Sequence, residues 1–253
     1  MRHILAAYAA VLVGLTASAV AAQAPPPLPA AMMVELVTAN HILVEEGIID
    51  VRGHVSVRDP SDPNHFWITR AVAPGLATAA DMQEFDLDGK QVGGAPGEQF
   101  TERFIHARIY KARPDVKSIV HGHTPSLTLF SVSGIPLRPV MLGGVFAGDG
   151  VPIHVNGKVA AGIHDAPVGD DLARVLGNKA AVLMRGHGAV IVGPSIRSAV
   201  GRAVGLDENA RMQIQLLSMG AKPDYITPPP GAAADAGNYD REWSWWAHKV
   251  AAP

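Results

Sequence analysis

The sequence predicts an α/β protein, because short β-branched segments alternate with amphipathic helical segments along most of the 253-residue chain. This length is sufficient for one large domain with a complete core. A formal net charge of −2 argues against a nucleic-acid-binding protein. The chain has no cysteine, which excludes thiolate metal sites, disulfides and cysteine nucleophiles. Any metal must therefore be held by histidine or carboxylate side chains.

Residues 1–24 are predicted to be a secretory signal peptide with its cleavage region. A short basic start precedes an apolar, alanine-rich run, and small residues follow at the cleavage position. Cleavage is expected after Ala22 or Ala24, which implies export to a periplasmic compartment and no stable membrane association of the mature protein. An uncleaved membrane anchor is the alternative, although the apolar run is slightly short for a membrane span.

The first half of the chain is predicted from its apolar periodicity and its turn residues. A proline-rich spacer at 25–30 precedes a helix that ends near Gly47. Asp88 and Gly89 form a hairpin turn signal, and Pro114 ends a second helix. The predicted helices are at 30–46 and 101–111, and the predicted strands are at 51–58, 65–70, 84–87, 90–92 and 118–123.

The second half continues this alternation. Ser195 is predicted to cap a long helix whose apolar stripe ends near Gly220. The other predicted segments are helices at 125–132 and 170–176 and strands at 137–142, 151–155, 158–160, 180–184 and 189–192. These elements define one domain at 31–222. A linker rich in Pro, Ala and Gly and an aromatic tail occupy 223–253, and the tail is expected to dock on a subunit surface.

Two histidines separated by one residue are the clearest candidates for a metal site. Alternate side chains of a strand point to the same face, so His121 and His123 are expected to project together. Two imidazoles on one face can ligate one transition metal, but this pair alone is a weak signal. His187 lies between two glycines after a buried strand. By itself it is interpreted as a hydrogen-bonded turn residue, although the glycines on both sides indicate a close approach of the backbone to another group.

Taken together, these motifs resemble the class II aldolase/adducin family. The resemblance runs from about residue 33 to about residue 219, and it is carried by Glu102 and by segments 112–116, 121–125 and 185–188. It implies a three-layer α/β/α sandwich with a central, largely antiparallel sheet. It also implies assembly as a homotetramer, with active sites between subunits.

The resemblance implies distinct roles for the site residues. His121, His123 and His187 would hold one divalent transition metal, either Zn, Mn, Co or Fe, and Glu102 would be the catalytic acid/base. Three neutral imidazoles leave coordination positions open, as a catalytic metal requires. Without the resemblance, Glu102 would be interpreted as an exposed helix residue. His106 is expected to pack or hydrogen-bond behind the site. Four other histidines are expected to be structural or surface residues: His41, His154, His164 and His248.

The substrate is expected to be an unphosphorylated hydroxy-carbonyl or hydroxy-carboxylic compound. The sugar-phosphate aldolases of the family have Gly-Asn followed by Ser at a position where this chain has the sequence RGHVS, at 52–56. They also have two serines where this chain has Phe100 and Thr101. Both changes resemble a branch containing decarboxylases of hydroxylated aromatic or pyridine acids. Arg52 would pair with a substrate carboxylate. The candidate substrate residues are Arg52, His54, Ser56, Phe100 and Thr101.

Two classes of function therefore compete. The first is a metal-dependent carbon–carbon lyase acting on a small molecule, either an aldehyde-lyase or a carboxy-lyase. The second is a non-catalytic module for assembly or metal binding, as in the adducin heads, which would be expected to lack ligand histidines. This chain keeps all three histidines and the glutamate, which favours the lyase. Tyr225 and Tyr239 are candidates, by residue type only, for a group that a neighbouring subunit adds to the site.

Overall fold

One eight-stranded sheet forms the centre of the protein in a computed structural model, which describes residues 28–157, 162–227 and 239–251. The strands are β1 His54–Arg58, β2 His65–Thr69, β3 Met82–Asp86, β4 Gln91–Gly94, β5 Ser118–Gly122, β6 Ile153–His154, β7 Ala181–Met184 and β8 Gly188–Gly193. Their spatial order is β4-β3-β2-β1-β5-β8-β7-β6. All neighbouring pairs are antiparallel except β6 with β7.

Helices cover both faces of this sheet. They are α1 Ala30–Glu45, α2 Arg103–Ala112, α3 Pro125–Ser133, α4 Ala166–Leu176, α5 Ile196–Ser218 and α6 Asp240–Ala251, and short 3₁₀ helices form at Pro74–Leu76, Ala79–Asp81 and Leu142–Ala147. One apolar cluster joins one sheet face to α1, α3, α5 and α6. A second cluster joins the other face to α2 and α4. The three-layer α/β/α sandwich with a largely antiparallel sheet is therefore confirmed.

The cap of the long helix and the hairpin turn form where the sequence predicts them, whereas α4 begins earlier than predicted. The Ser195 side chain accepts a hydrogen bond from Ser198 N at 3.1 Å and caps α5. Gly89 has a φ of 79° between β3 and β4, a left-handed conformation that favours glycine in a hairpin turn. The Asp165 side chain accepts a hydrogen bond from Val168 N, so α4 begins at Ala166 and not at residue 170.

The predicted strand at 137–142 does not form. Its backbone hydrogen-bonds to side chains of α5 instead of to another strand, because Asn209 Oδ1 accepts from Val140 N at 2.8 Å and from Met141 N at 3.2 Å. The prediction was wrong because alternating apolar residues indicate a surface buried on one side, whatever satisfies the backbone.

Other predictions concern residues outside the described ranges. The signal peptide, half of the spacer and the strand at 158–160 belong to this group. The predicted strand at 151–155 is reduced to β6, which pairs in parallel with β7.

The aromatic tail packs on its own chain. Trp243 of α6 is buried, and the Arg197 guanidinium lies 5.5 Å from the centre of its ring. Arg197 also contacts Glu35 of α1 at 2.9 Å. The tail thus joins α1 to α5. Among the described helices, none combines the length and the apolar character that crossing a bilayer requires.

Asn209→Ala is expected to destabilise the protein by about 2–4 kcal/mol. The side chain is fully buried, and its loss leaves two backbone N–H groups and Arg138 O without their partner. Urea unfolding measures this cost. The matched control is Gln215→Ala, an exposed position on the same helix, which should change the free energy of unfolding by no more than about 0.5 kcal/mol.

Candidate metal centre and its cleft

Three histidines and one glutamate converge at the end of β5. His121 lies on β5, His123 follows that strand directly, and His187 lies in the turn between β7 and β8. Because β5 and β8 are paired, the turn brings His187 beside the end of β5. With Glu102, these residues offer ligand atoms that all lie within 4.8 Å of one another.

Hydrogen bonds outside this cluster orient two of the imidazoles. His121 Nδ1 donates to Ala189 O at 3.0 Å, and His123 Nδ1 donates to Asp50 Oδ1 at 3.0 Å. With the hydrogen on Nδ1 engaged in this way, each ring can present its Nε2 lone pair to the cluster.

The donor set fits a divalent metal ion. His123 Nε2 lies 3.0 Å from His121 Nε2 and 3.1 Å from His187 Nε2. Facing lone pairs at this distance are satisfied by a shared cation, and three imidazoles leave further coordination positions open. Asp50, which the sequence did not single out, is the outer partner that orients one of them.

Glu102 lies opposite the histidines. It directly precedes α2, and its side chain is mostly buried, so it is not an exposed helix residue. Its Oε2 lies 3.3 Å from His121 Nε2, and its Oε1 lies 3.4 Å from His187 Nε2. Burial raises the pKa of the Glu102 carboxyl, but the two imidazoles lower it more, so that the pKa lies well below its ordinary value. The carboxylate is therefore ionised.

A cleft of about 320 Å³ opens beside Glu102. Three of the five candidate substrate residues line it, namely Arg52, Phe100 and Thr101. Arg52 is exposed and forms no ion pair with any described residue, so its guanidinium is available to an anionic ligand. A larger cavity of about 450 Å³ lies at the other end of β8, away from the histidines, and size alone would not have located the site.

The other two candidate substrate residues lie deeper. His54 and Ser56 are fully buried on β1 and do not line the cleft. His106 hydrogen-bonds to both, at 2.7 Å to His54 Nδ1 and at 2.6 Å to Ser56 Oγ. Burial lowers the pKa of His106 to about 3 and holds that of His54 well below its ordinary value, so both rings are neutral.

His164, predicted to be a structural or surface residue, is exposed and lies close to the site. A side-chain carbon placed on Gly162 would be 2.8 Å from His164 Nε2 and 2.7 Å from Glu102 Oε1. Both groups therefore border the same small space, which only glycine leaves open. The neighbouring Ile163 N donates to Glu102 Oε1 at 3.1 Å. No local sequence signal predicts the contact between Ile163 and Glu102, because the two residues are 61 positions apart along the chain.

Tyr225 and Tyr239 do not line the cleft within this chain. The Tyr225 ring lies 4.2 Å from the Arg138 guanidinium, and Tyr239 packs against Gly201 of α5.

Comparison with known proteins gives consistent results for sequence and fold. Residues 34–214 match the model of the class II aldolase and adducin N-terminal domain. The chain is 33% identical over 212 residues to the decarboxylase tropJ of Talaromyces stipitatus, covering 77% of this chain and 80% of that protein. It is 30% identical over 201 residues to a 3,4-dihydroxyphthalate decarboxylase of Rhodococcus jostii, covering 74% and 81%.

A solved structure extends this similarity to the fold. The L-fuculose 1-phosphate aldolase of Glaciozyma antarctica superposes with a TM-score of 0.70 at 27% identity, covering 89% of this chain and 93% of that one. The matched relatives thus include both decarboxylases and an aldolase. With its sandwich fold, its converging histidines and a family match over most of its length, this chain belongs to the class II aldolase and adducin family.

Proposed function

We propose that this protein is a divalent-metal-dependent carbon–carbon lyase that decarboxylates a hydroxylated aromatic acid. The observation that carries the proposal is the convergence of three imidazole Nε2 atoms opposite one ionised carboxylate. The similarity to decarboxylases over about three quarters of the chain supports the choice of reaction.

The residues around the cleft suit such an acid. His121, His123 and His187 would hold the metal, which when bound supplies a Lewis acid that stabilises negative charge on a substrate oxygen. Arg52 would pair with a substrate carboxylate. Phe100 provides an apolar wall for an aromatic ring.

Glu102 would move the proton. Its carboxylate takes the proton of the substrate hydroxyl, and the bond between the ring carbon and the carboxylate then breaks. Carbon dioxide leaves, and the electron pair of the broken bond stays on the ring carbon. Glu102 returns the proton to that carbon, and the phenolate oxygen takes one proton from solvent, so the net reaction consumes one proton and releases one carbon dioxide.

Aldol-type cleavage of an unphosphorylated hydroxy-carbonyl compound is the second candidate. The structural similarity to an L-fuculose 1-phosphate aldolase supports it, since the same groups could stabilise an enolate and move a proton. The presence of Phe100 and the absence of a serine pair beside Glu102 favour an unphosphorylated substrate.

Metal-replete protein incubated with a panel of hydroxybenzoates, dihydroxyphthalates and unphosphorylated sugars tests the proposal. Release of carbon dioxide from an aromatic acid is the expected result. Release of an aldehyde from a sugar would instead establish the aldolase. Failure of every substrate despite stoichiometric metal would favour a non-catalytic module.

Asp50→Ala is expected to weaken metal binding by about 10–100-fold, because the carboxylate orients His123 from outside the cluster. Competition with a chelator measures the affinity. Asp62→Ala is the matched control, since Asp62 also caps its own turn but follows the Arg58 end of β1, opposite the His54 end that pairs with His121. Equal losses in both variants would assign the effect to turn stability and not to the orientation of His123.

We further propose that the mature protein works as an exported homotetramer. The signal-peptide pattern at the N-terminus supports export, and membership of the family supports oligomeric assembly. Fractionation of cells and light scattering of the purified protein test these two points separately.

A further inference from the structure

Four buried polar side chains form a continuous row between α2 and β1. Tyr110 and His106 lie on α2, Ser56 and His54 lie on β1, and none is more than 1% exposed. Tyr110 Oη lies 2.8 Å from Ser56 Oγ, which lies 2.6 Å from His106 Nδ1. His106 Nε2 lies 2.7 Å from His54 Nδ1. These four residues are called the buried chain below.

The contacts of Tyr110, at one end of the buried chain, determine the direction of its hydrogen bonds. The Tyr110 hydroxyl lies 2.8 Å from Ser56 Oγ but 3.5 Å from Lys117 O. Lys117 O already accepts from Arg58 N at 2.8 Å. Because the contact with Ser56 Oγ is much the shorter of the two, we assign the Tyr110 hydroxyl as the donor to Ser56.

The direction of the other hydrogen bonds follows from the number of hydrogens that each group can donate. Ser56 accepts from Tyr110, so its own hydroxyl donates to His106 Nδ1. A buried neutral imidazole carries one N–H, so His106 carries its hydrogen on Nε2 and donates to His54 Nδ1. The hydrogen of His54 must then be on Nε2.

This last N–H is left without a partner. His54 Nε2 is buried and has no hydrogen-bond partner among the described residues, an arrangement that costs free energy unless something binds there. The ring contacts a residue of the histidine cluster and a residue of the cleft. Its centre is 5.1 Å from that of His121, its partner in the β1–β5 register, and 4.6 Å from that of Phe100, which lines the cleft.

We propose that His54 Nε2 donates a hydrogen bond to an oxygen of the bound hydroxy acid. His106, Ser56 and Tyr110 are positioning residues that hold His54 in the Nε2–H tautomer. In the other tautomer, Nε2 would direct a lone pair at an anionic oxygen, which is repulsive. The inference rests on the proposed function for the chemical class of the ligand.

The tautomer is measurable without turnover. In the full-length mature protein, loaded with zinc and labelled with ¹⁵N-histidine, long-range ¹H–¹⁵N spectra are expected to show His54 and His106 protonated at Nε2. Spectra of His54→Gln and His106→Gln assign the signals. Ser56→Ala removes the donor to His106 and is expected to abolish the single tautomer at His54. A hydrogen on His54 Nδ1 in the parent would overturn the inference.

Binding of 2-hydroxybenzoate tests the hydrogen bond itself. His54→Met, which removes the donor, is expected to weaken binding in calorimetry by about tenfold or more with metal content unchanged. His54→Gln keeps an N–H near the position of Nε2 and should restore most of the affinity. Parent-like affinity of His54→Met with intact metal would overturn the inference. If His54→Met does not fold, Ser56→Ala is expected to weaken binding in the same direction, and unchanged affinity there would be equally decisive.

The two proposals fail in different ways. A parent protein that binds 2-hydroxybenzoate and has His54 in the Nε2–H tautomer, but releases carbon dioxide from no acid, would contradict the proposed reaction and support the role of His54. A parent that decarboxylates with His54 protonated at Nδ1 would contradict the role of His54 alone.

Discussion

Changing any one of His121, His123 and His187 to alanine is expected to abolish stoichiometric metal binding and, with it, turnover. The three Nε2 atoms face one another at about the separation that a shared ion requires. The two remaining imidazoles would bind the metal too weakly for stoichiometric occupancy. The loss should therefore exceed the roughly 10–100-fold that removal of an outer hydrogen-bond partner costs. Elemental analysis after dialysis measures it.

Circular dichroism separates loss of metal from loss of fold. The sheet pairs through its backbone, and apolar clusters cover both of its faces, so each variant should keep its secondary structure. His248→Ala is the matched control, because this histidine is exposed on α6. It should bind metal as the parent does. Full occupancy in any one of the three variants would remove that residue from the ligand set.

Local signals in the sequence predicted most elements of this fold. A capping serine at 195 and a glycine turn at 89 act on backbone groups within a few residues, so they can be recognised without knowing the rest of the structure. The segment at 137–142 failed because its backbone partner, Asn209, lies 69 positions beyond Val140. Periodicity predicted that the segment is buried, but it carries no information about such a distant acceptor.

The same limit applies to the candidate site. His121 and His123 could be paired from strand periodicity, whereas Glu102 was singled out only through the family resemblance. Glu102 directly precedes α2, and its carboxylate lies beside His121, which is 19 positions away along the chain. The contact between Asp50 and His123 joins residues that are 73 positions apart. The contact between His106 and His54 joins residues that are 52 positions apart. Both contacts form only in the folded chain. No spacing rule identifies either.

Glu102→Gln is expected to keep the metal and the affinity for substrate but to lose about 10²–10⁴-fold in turnover, the usual contribution of general acid/base catalysis. The amide keeps the size of the side chain and an oxygen for Ile163 N, but it cannot exchange a proton at neutral pH. Glu98→Gln is the matched control, since Glu98 lines the same cleft, and it should retain parent-like turnover.

The pattern of losses in Glu102→Gln distinguishes three roles for this residue. Unchanged metal with strongly reduced turnover indicates an acid/base, and the parent should then show an ionisation in its pH–rate profile that the variant lacks, provided that proton transfer limits the rate. Loss of metal would make Glu102 a fourth ligand, which its contacts of 3.3 Å and 3.4 Å with His121 and His187 would then reflect. Full activity would contradict the proposed mechanism, because no other carboxylate among the described residues belongs to this cluster.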